Sequence, residues 1–310
     1  MSKIALFVIY NHRYDRNIPI IENLYKKQFS HIFHLMPFYE GEQENVLPVY
    51  ESSYRFQSYI AQAYNTLNIK HLNKWGGVNF THYFIISDDA LMNPNINENN
   101  LFEFLCIDEQ SCYLKDFRDV RQKNPWSQVY APLLYKIRQK GVEVADILPS
   151  AQQAAAKFAE HALDIPDKVK YARLLTYPFW YFRHKWMRNV LKSLKLLLQF
   201  TFRSRKIAYP LIWGGADYAL IPASTMPKFC TYCGAFAATG LFVEYAIPTA
   251  LVLSAEKIVT EAQTGKHSIF NDGKKIKSIE LQYDFKLDML VRNFPENVPF
   301  IHPVKLSKWK

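Results

Sequence analysis

Three short, almost unbroken apolar runs fall within the first ninety residues, and they limit what this chain can become. "KIALFVIYN", "HIFHLMPFYE" and "HYFIISDD" are rich in β-branched and aromatic residues and too short to be helices. A strand that reads apolar without alternation is one covered on both faces. Between the runs lie "NIPIIENLYKKQF" and "YRFQSYIAQAYNTLNI", whose apolar residues recur at helical spacing. Strands alternating with helices of this length predict an α/β fold with a mostly parallel central sheet and right-handed crossovers. With 310 residues, 49% of them hydrophobic, the chain is long enough to bury a large core. The opening "MSKIALFVIYNH" has one Lys, a short apolar stretch and no small-residue cleavage pattern. It reads as the first strand rather than a signal peptide, which places the protein in the cytoplasm. The four cysteines, Cys106, Cys112, Cys230 and Cys233, are then reduced, and "CTYC" lacks a second pair at metal-binding spacing.

The pattern changes along the chain. From about residue 110 to 206 it is mostly helical, with Ser150 as N-cap of the Ala-rich "SAQQAAAKFAEHAL". After Arg205 come "IAYPLIWGGADYALIPAS", where Gly214 and Gly215 permit a close backbone approach, and "GLFVEYAIPTALVLS", with Glu244 in apolar company. The expectation is a single domain over 1–310, with 110–206 as a helical, basic insertion.

The net charge of +10 is local. Between Lys168 and Ala216 there are eleven Lys and Arg residues and no Asp or Glu, so the whole excess lies in that segment. On a helical projection, Lys185, Arg188, Lys192 and Lys195 form one face, opposite Trp186, Met187, Val190, Leu191, Leu194, Leu197 and Leu198. A cationic amphipathic helix within 179–206 suits an anionic membrane surface, making the protein peripheral on the inner face of the cytoplasmic membrane. Alternatively, the apolar face packs on the catalytic domain. A nucleic-acid partner is disfavoured, because no recognised binding motif is present.

The chemistry begins with Asp88 and Asp89, at the end of the third run. In an open α/β sheet, ligands bind outside the carboxyl ends of the strands. Adjacent carboxylates there repel unless a cation joins them, and a divalent ion bound by carboxylates and substrate phosphates is a standard solution. The alternative reading is that both cap a helix starting near "ALMNPNINENN".

The opening strand "IALFVIYNH", the stretch "IISDDALMNP" and the terminal "IHPVK" together resemble the GT-A glycosyltransferases, nucleotide-sugar-dependent enzymes with a Rossmann-like sheet. The family's Asp-X-Asp motif would align with Ser87-Asp88-Asp89, so the first carboxylate is displaced by one position. The resemblance implies that Asp89 and His302 hold Mn2+ or Mg2+, with Asp88 on the ribose or a metal-bound water and Lys305 on the leaving phosphate. Burial among apolar neighbours would raise the pKa of Glu244 and suit it to act as base toward an acceptor hydroxyl. Asn11, Arg13 and Asp15, just past the first strand, are candidate contacts for base and ribose. Arg55 would face the same pocket, and Asp217, after "WGG", would hold an acceptor hydroxyl.

The implied activity is transfer of a sugar, galactosyl as a first guess, from a UDP-sugar to a surface polysaccharide or lipopolysaccharide glycan, free or lipid-linked. The same acidic pair would also serve a metal-dependent nucleotidyltransferase or nuclease. A non-catalytic, membrane-peripheral assembly protein is the option outside enzymes.

Overall fold

The computed structural model describes residues 3–70, 78–118, 135–138, 142–144, 146–165 and 207–310. The N-terminal half contains β1 (Ile4–Ile9), α1 (Ile18–Tyr25), β2 (His31–Pro37), β3 (Val46–Val49), α2 (Gln57–Lys70), β4 (His82–Ser87), β5 (Leu91–Met92) and α3 (Leu101–Leu105). β6 (Cys112–Leu114), β7 (Phe117–Arg118), α4 (Ala151–Glu160), β8 (Trp213–Gly214), β9 (Tyr218–Pro222), α5 (Met226–Ala238) and α6 (Val243–Ser254) follow. The chain closes through β10 (Ile258–Thr260), α7 (Glu261–Thr264), β11 (Ile269–Phe270), α8 (Gly273–Gln282), α9 (Leu287–Arg292) and β12 (Phe300–His302).

The central sheet has seven strands in the order β10-β6-β9-β4-β1-β2-β3. β1 pairs in parallel with β2 and β4, β2 with β3, and β6 with β10, whereas β9 runs antiparallel to both β4 and β6. It is thus a Rossmann-like, mostly parallel sheet with one reversed strand. The chain moves outward from β1 through β2 to β3 and then returns to the other side of β1 as β4. That reversal of strand order is where such sheets open a ligand crevice.

The apolar runs are explained by what covers them. All six residues of β1 and all six of β4 are buried. Because side chains alternate across a strand, Ala5, Phe7, Ile9, Tyr83 and Ile85 enter one core, and Ile4, Leu6, Val8, Phe84 and Ile86 enter the other. The first core contains residues of α2, α5 and α6; the second contains residues of α1, α3, α9 and the C-terminal segment. Ser150 caps α4 in a reciprocal capping box with Gln153, as the sequence predicts.

One expectation and one alternative reading need correction. Cys112–Leu114, read as the start of a mostly helical stretch, is a strand inside the central sheet, between β9 and β10. Three residues are too few for a period to register. The segment after the acidic pair does not begin a helix: Leu91–Met92 is a strand, and α3 starts only at Leu101. The amphipathic segment 179–206 lies outside the described residues. Among the described residues, no helix is long and apolar enough to cross a membrane.

A three-stranded sheet, β11-β12-β5, packs beside the main one. Its link is aromatic: Phe300 of β12 stacks on Tyr218 of β9 with ring centroids 3.9 Å apart and planes 18° off parallel. The Tyr218 hydroxyl donates to Glu261 at 2.5 Å, so even this buried phenol has a partner. Gly214 is required by close approach, since a Cβ there would lie 2.3 Å from the Asp116 carbonyl. Phe300→Ala is expected to cost about 3–5 kcal/mol in urea denaturation, the range for deleting a buried aromatic ring. It should loosen β12 and everything that strand carries.

Candidate active site

Three parts of the chain meet at the carboxyl edge of β4, and backbone hydrogen bonds fix them there. The Asp88 N–H donates to the Ile9 carbonyl at 2.8 Å, tying the acidic pair to the end of β1. The Ser87 N–H donates to the Asp217 carbonyl at 2.7 Å, and the Val304 N–H donates to the Asp89 carbonyl at 2.7 Å. Because β9 is reversed, its first residues arrive where β4 ends, bringing Asp217. Because β12 is antiparallel to β5, which follows the acidic pair directly, its last residue is His302 at the same place.

The result is a cluster of Asp89, Asp217 and His302, whose ligand atoms all lie within 4.8 Å of one another. His302 Nε2 is 3.3 Å from Asp89 Oδ1 and 3.4 Å from Asp217 Oδ1. The Ser87 hydroxyl donates to Asp89 Oδ1 at 2.9 Å. The imidazole stacks on Phe270 at 4.6 Å, and its Nδ1 is buried with no hydrogen-bond partner among the described residues. Packing, not a second hydrogen bond, holds the ring.

The charges explain one another. Burial alone would lower the His302 pKa, but the carboxylates of Asp217 and Asp89 outweigh it and push the value up to about 9. Burial would raise Asp89, yet the hydrogen bond and charge of His302, with the Ser87 hydroxyl, hold it below the usual carboxylate range. Asp217 is raised, chiefly by burial, with His302 opposing. Two carboxylate oxygens and one imidazole nitrogen are a donor set that a divalent ion such as manganese accepts, and three protein ligands leave positions free for phosphate oxygens. The cluster can therefore hold a metal ion.

Asp88 turns away from this cluster. It is buried, and its Oδ2 accepts from the Asn17 side-chain amide at 3.2 Å. Burial first, and the neighbouring Asp89 second, raise its pKa to about 7. Two adjacent residues of one type thus have different protonation behaviour, set by what each faces.

A cavity of about 570 Å³ opens over the cluster, lined by Asn11, Asp88, Asp89, Asp217, Glu244, His302 and Lys305 among others. Glu244 lies in the first turn of α6, where its Oε2 accepts from the Trp213 indole N–H at 2.7 Å. Burial raises its pKa, and the Trp213 hydrogen bond opposes that only in part. The Arg118 guanidinium stacks over the Trp213 ring at 4.5 Å, so the group orienting Glu244 is itself held.

The remaining expected residues stand apart from the lining. Arg13 pairs with Glu40 at 2.7 Å and with Asp15 at 3.3 Å on the surface. Arg55 lies 3.7 Å from Glu51. Sequence reading missed Asn17, Tyr14, Tyr54, Phe242 and Asn271, all of which line the cavity. Of these, Tyr14 follows the first strand closely enough for position alone to have suggested it.

Manganese binding should release about one proton, because His302 is protonated at neutral pH and only neutral imidazole is a ligand. Affinity is expected to rise by up to about tenfold per pH unit below the His302 pKa and to level off near pH 9. Calorimetric titration of manganese in buffers of different ionisation enthalpy measures this release. His302→Ala should bind more weakly and lose that proton-linked component.

No known protein-family profile matches the sequence, and no curated protein matches it. Among solved structures, the chain has a distant likeness to the mannosyltransferase Ktr4p from S. cerevisiae in complex with GDP. The identity is 9% and the TM-score 0.31, over 83% of this chain and 67% of that one.

Proposed function

We propose that this protein is a metal-dependent glycosyltransferase that moves a sugar from a nucleotide sugar, a UDP-sugar in our reading, to a hydroxyl of a glycan acceptor. The observation that carries the proposal is the Asp89–Asp217–His302 cluster at the strand-order reversal, under a cavity that Glu244 and Lys305 also line. Leaving of a nucleoside diphosphate develops negative charge, which a bound divalent cation would neutralise. Asp89, His302 and Asp217 would hold that cation. Asp217 is therefore reassigned from the acceptor hydroxyl, its expected contact, to the metal.

In this scheme Lys305 supplies a point charge to a phosphate oxygen, and Asn11 and Asp88 face the nucleoside. Glu244 takes the proton from the acceptor hydroxyl, and its raised pKa suits that task. With a protein base on the acceptor side, the anomeric centre inverts. The basic segment 179–206 would hold the enzyme against the anionic inner face of the cytoplasmic membrane, where a growing surface polysaccharide or lipopolysaccharide is reached. We retain the single-domain reading, with the insertion beginning after β7 rather than at residue 110.

Calorimetry with UDP, with and without manganese, tests the donor site. Metal-dependent binding to the wild type that is lost in Asp89→Ala is the expected result, and absence of nucleotide binding under both conditions would remove the proposal. Glu244→Gln should retain UDP binding while transfer, followed as UDP release in the presence of acceptor, falls by about 10²–10⁴-fold.

A further inference from the structure

Phe38 occupies a position that local energetics disfavour twice. Its φ is +52°, a left-handed conformation that strains a bulky side chain, and the residue is 58% exposed. An Asn or Gly there would avoid both costs. The backbone is nonetheless held firmly: the Phe38 N–H donates to the Val49 carbonyl at 3.0 Å, and its carbonyl accepts from Arg13 at 3.4 Å. Across from it, Tyr50, 63% exposed, meets the Phe38 ring edge-on at 5.9 Å. Its own N–H is fixed by Gln62 at 3.0 Å. Phe38 follows β2 and Tyr50 follows β3, so both project from the carboxyl edge of the sheet, the edge on which the cavity opens.

The pair is connected along the chain, on two segments, to residues that line that cavity. Arg13, bonded to the Phe38 carbonyl, lies between His12 and Tyr14, which line it. Tyr54, a lining residue that is 68% exposed, follows Tyr50 by four positions in the chain. Beside the pair, through the Arg13 bond to the Phe38 carbonyl and the chain next to Tyr50, lie hydrogen-bonding groups of both signs: Arg13 paired with Glu40 and Asp15, and Arg55 paired with Glu51. With both arginines paired to carboxylates, this rim offers no cationic cluster to a nucleic acid or an anionic bilayer. Two rings are too small an apolar area for a protein interface. A ligand with flat C–H faces and hydroxyl edges matches both the ring faces and the rim.

We propose that Phe38 and Tyr50 form a fixed stacking ridge that binds sugar rings of an oligosaccharide acceptor beyond the cavity. The choice of occupant rests on the glycosyl-transfer reading; the rigid exposed pair does not. The test uses the full-length protein, Phe38→Asn and Tyr50→Ser, against immobilised disaccharides through hexasaccharides of hexose and N-acetylhexosamine units, with UDP–manganese calorimetry in parallel. Expected are retention of the longer oligosaccharides by the wild type, at least tenfold weaker retention by either variant, and unchanged UDP binding. Phe38→Asn should melt at or above the wild-type temperature. Retention by both variants at wild-type strength, or binding of anionic vesicles in place of every oligosaccharide, would overturn the ridge. So would failure of the wild type to bind any oligosaccharide. Retention lost in the variants of a protein that binds no UDP would support the ridge while removing the donor-site proposal.

Discussion

Two carboxylates and an imidazole share one small volume at the edge of the central sheet, and the local electrostatics follow from that crowding. Asp89 and Asp217 keep His302 protonated in the absence of a metal, and His302 in turn keeps Asp89 ionised. Such a group is stable only if backbone geometry holds the partners together, because free side chains would rotate toward water. Here the geometry comes from hydrogen bonds between strand ends: Ser87 to Asp217 and Val304 to Asp89. The reversed strand β9 is what makes the first of these available. Had β9 run parallel to β4, Asp217 would emerge at the opposite edge.

The packing around the cluster serves the same end. The Tyr218–Phe300 stack joins the small sheet to the large one beside Asp217 and His302, and Phe270 covers the imidazole face. Low solvent access strengthens each charge interaction and makes an unpaired charge costly. On the other side of the cavity, the Arg118–Trp213–Glu244 chain positions a single carboxylate through stacking and one indole hydrogen bond. The two sides are coupled: Trp213 and Asp217 belong to one stretch of chain, Asp217 helps raise the pKa of Glu244, and Glu244 helps raise that of His302.

How much of this was legible in the sequence depends on whether each feature leaves a local pattern. β1 and β4 were readable because strands buried on both faces have no polar alternation. β5, β6 and β8 were not, being two or three residues long. The position of Asp88 and Asp89 at a strand end followed directly from the apolar run before them. His302 was paired with Asp89 through the resemblance to GT-A enzymes, though 213 residues separate them. The place of Asp217 beside them depends on strand direction, and nothing local in "WGGADYALIP" records which way β9 runs. Arg13, Asp15 and Arg55 illustrate the converse: a loop at the correct edge does not reveal which of its side chains turn inward. The strain at Phe38 was likewise invisible, since a backbone angle is not written in composition.

The central claim is that Asp89, Asp217 and His302 form one metal centre. Anomalous diffraction at the manganese edge, from crystals grown with manganese and UDP, tests it most directly. The account predicts a single strong peak within about 2.0–2.3 Å of an oxygen of each aspartate and of His302 Nε2, the range of carboxylate and imidazole coordination. A peak held by other residues, or bound nucleotide with no metal between it and this cluster, would contradict it.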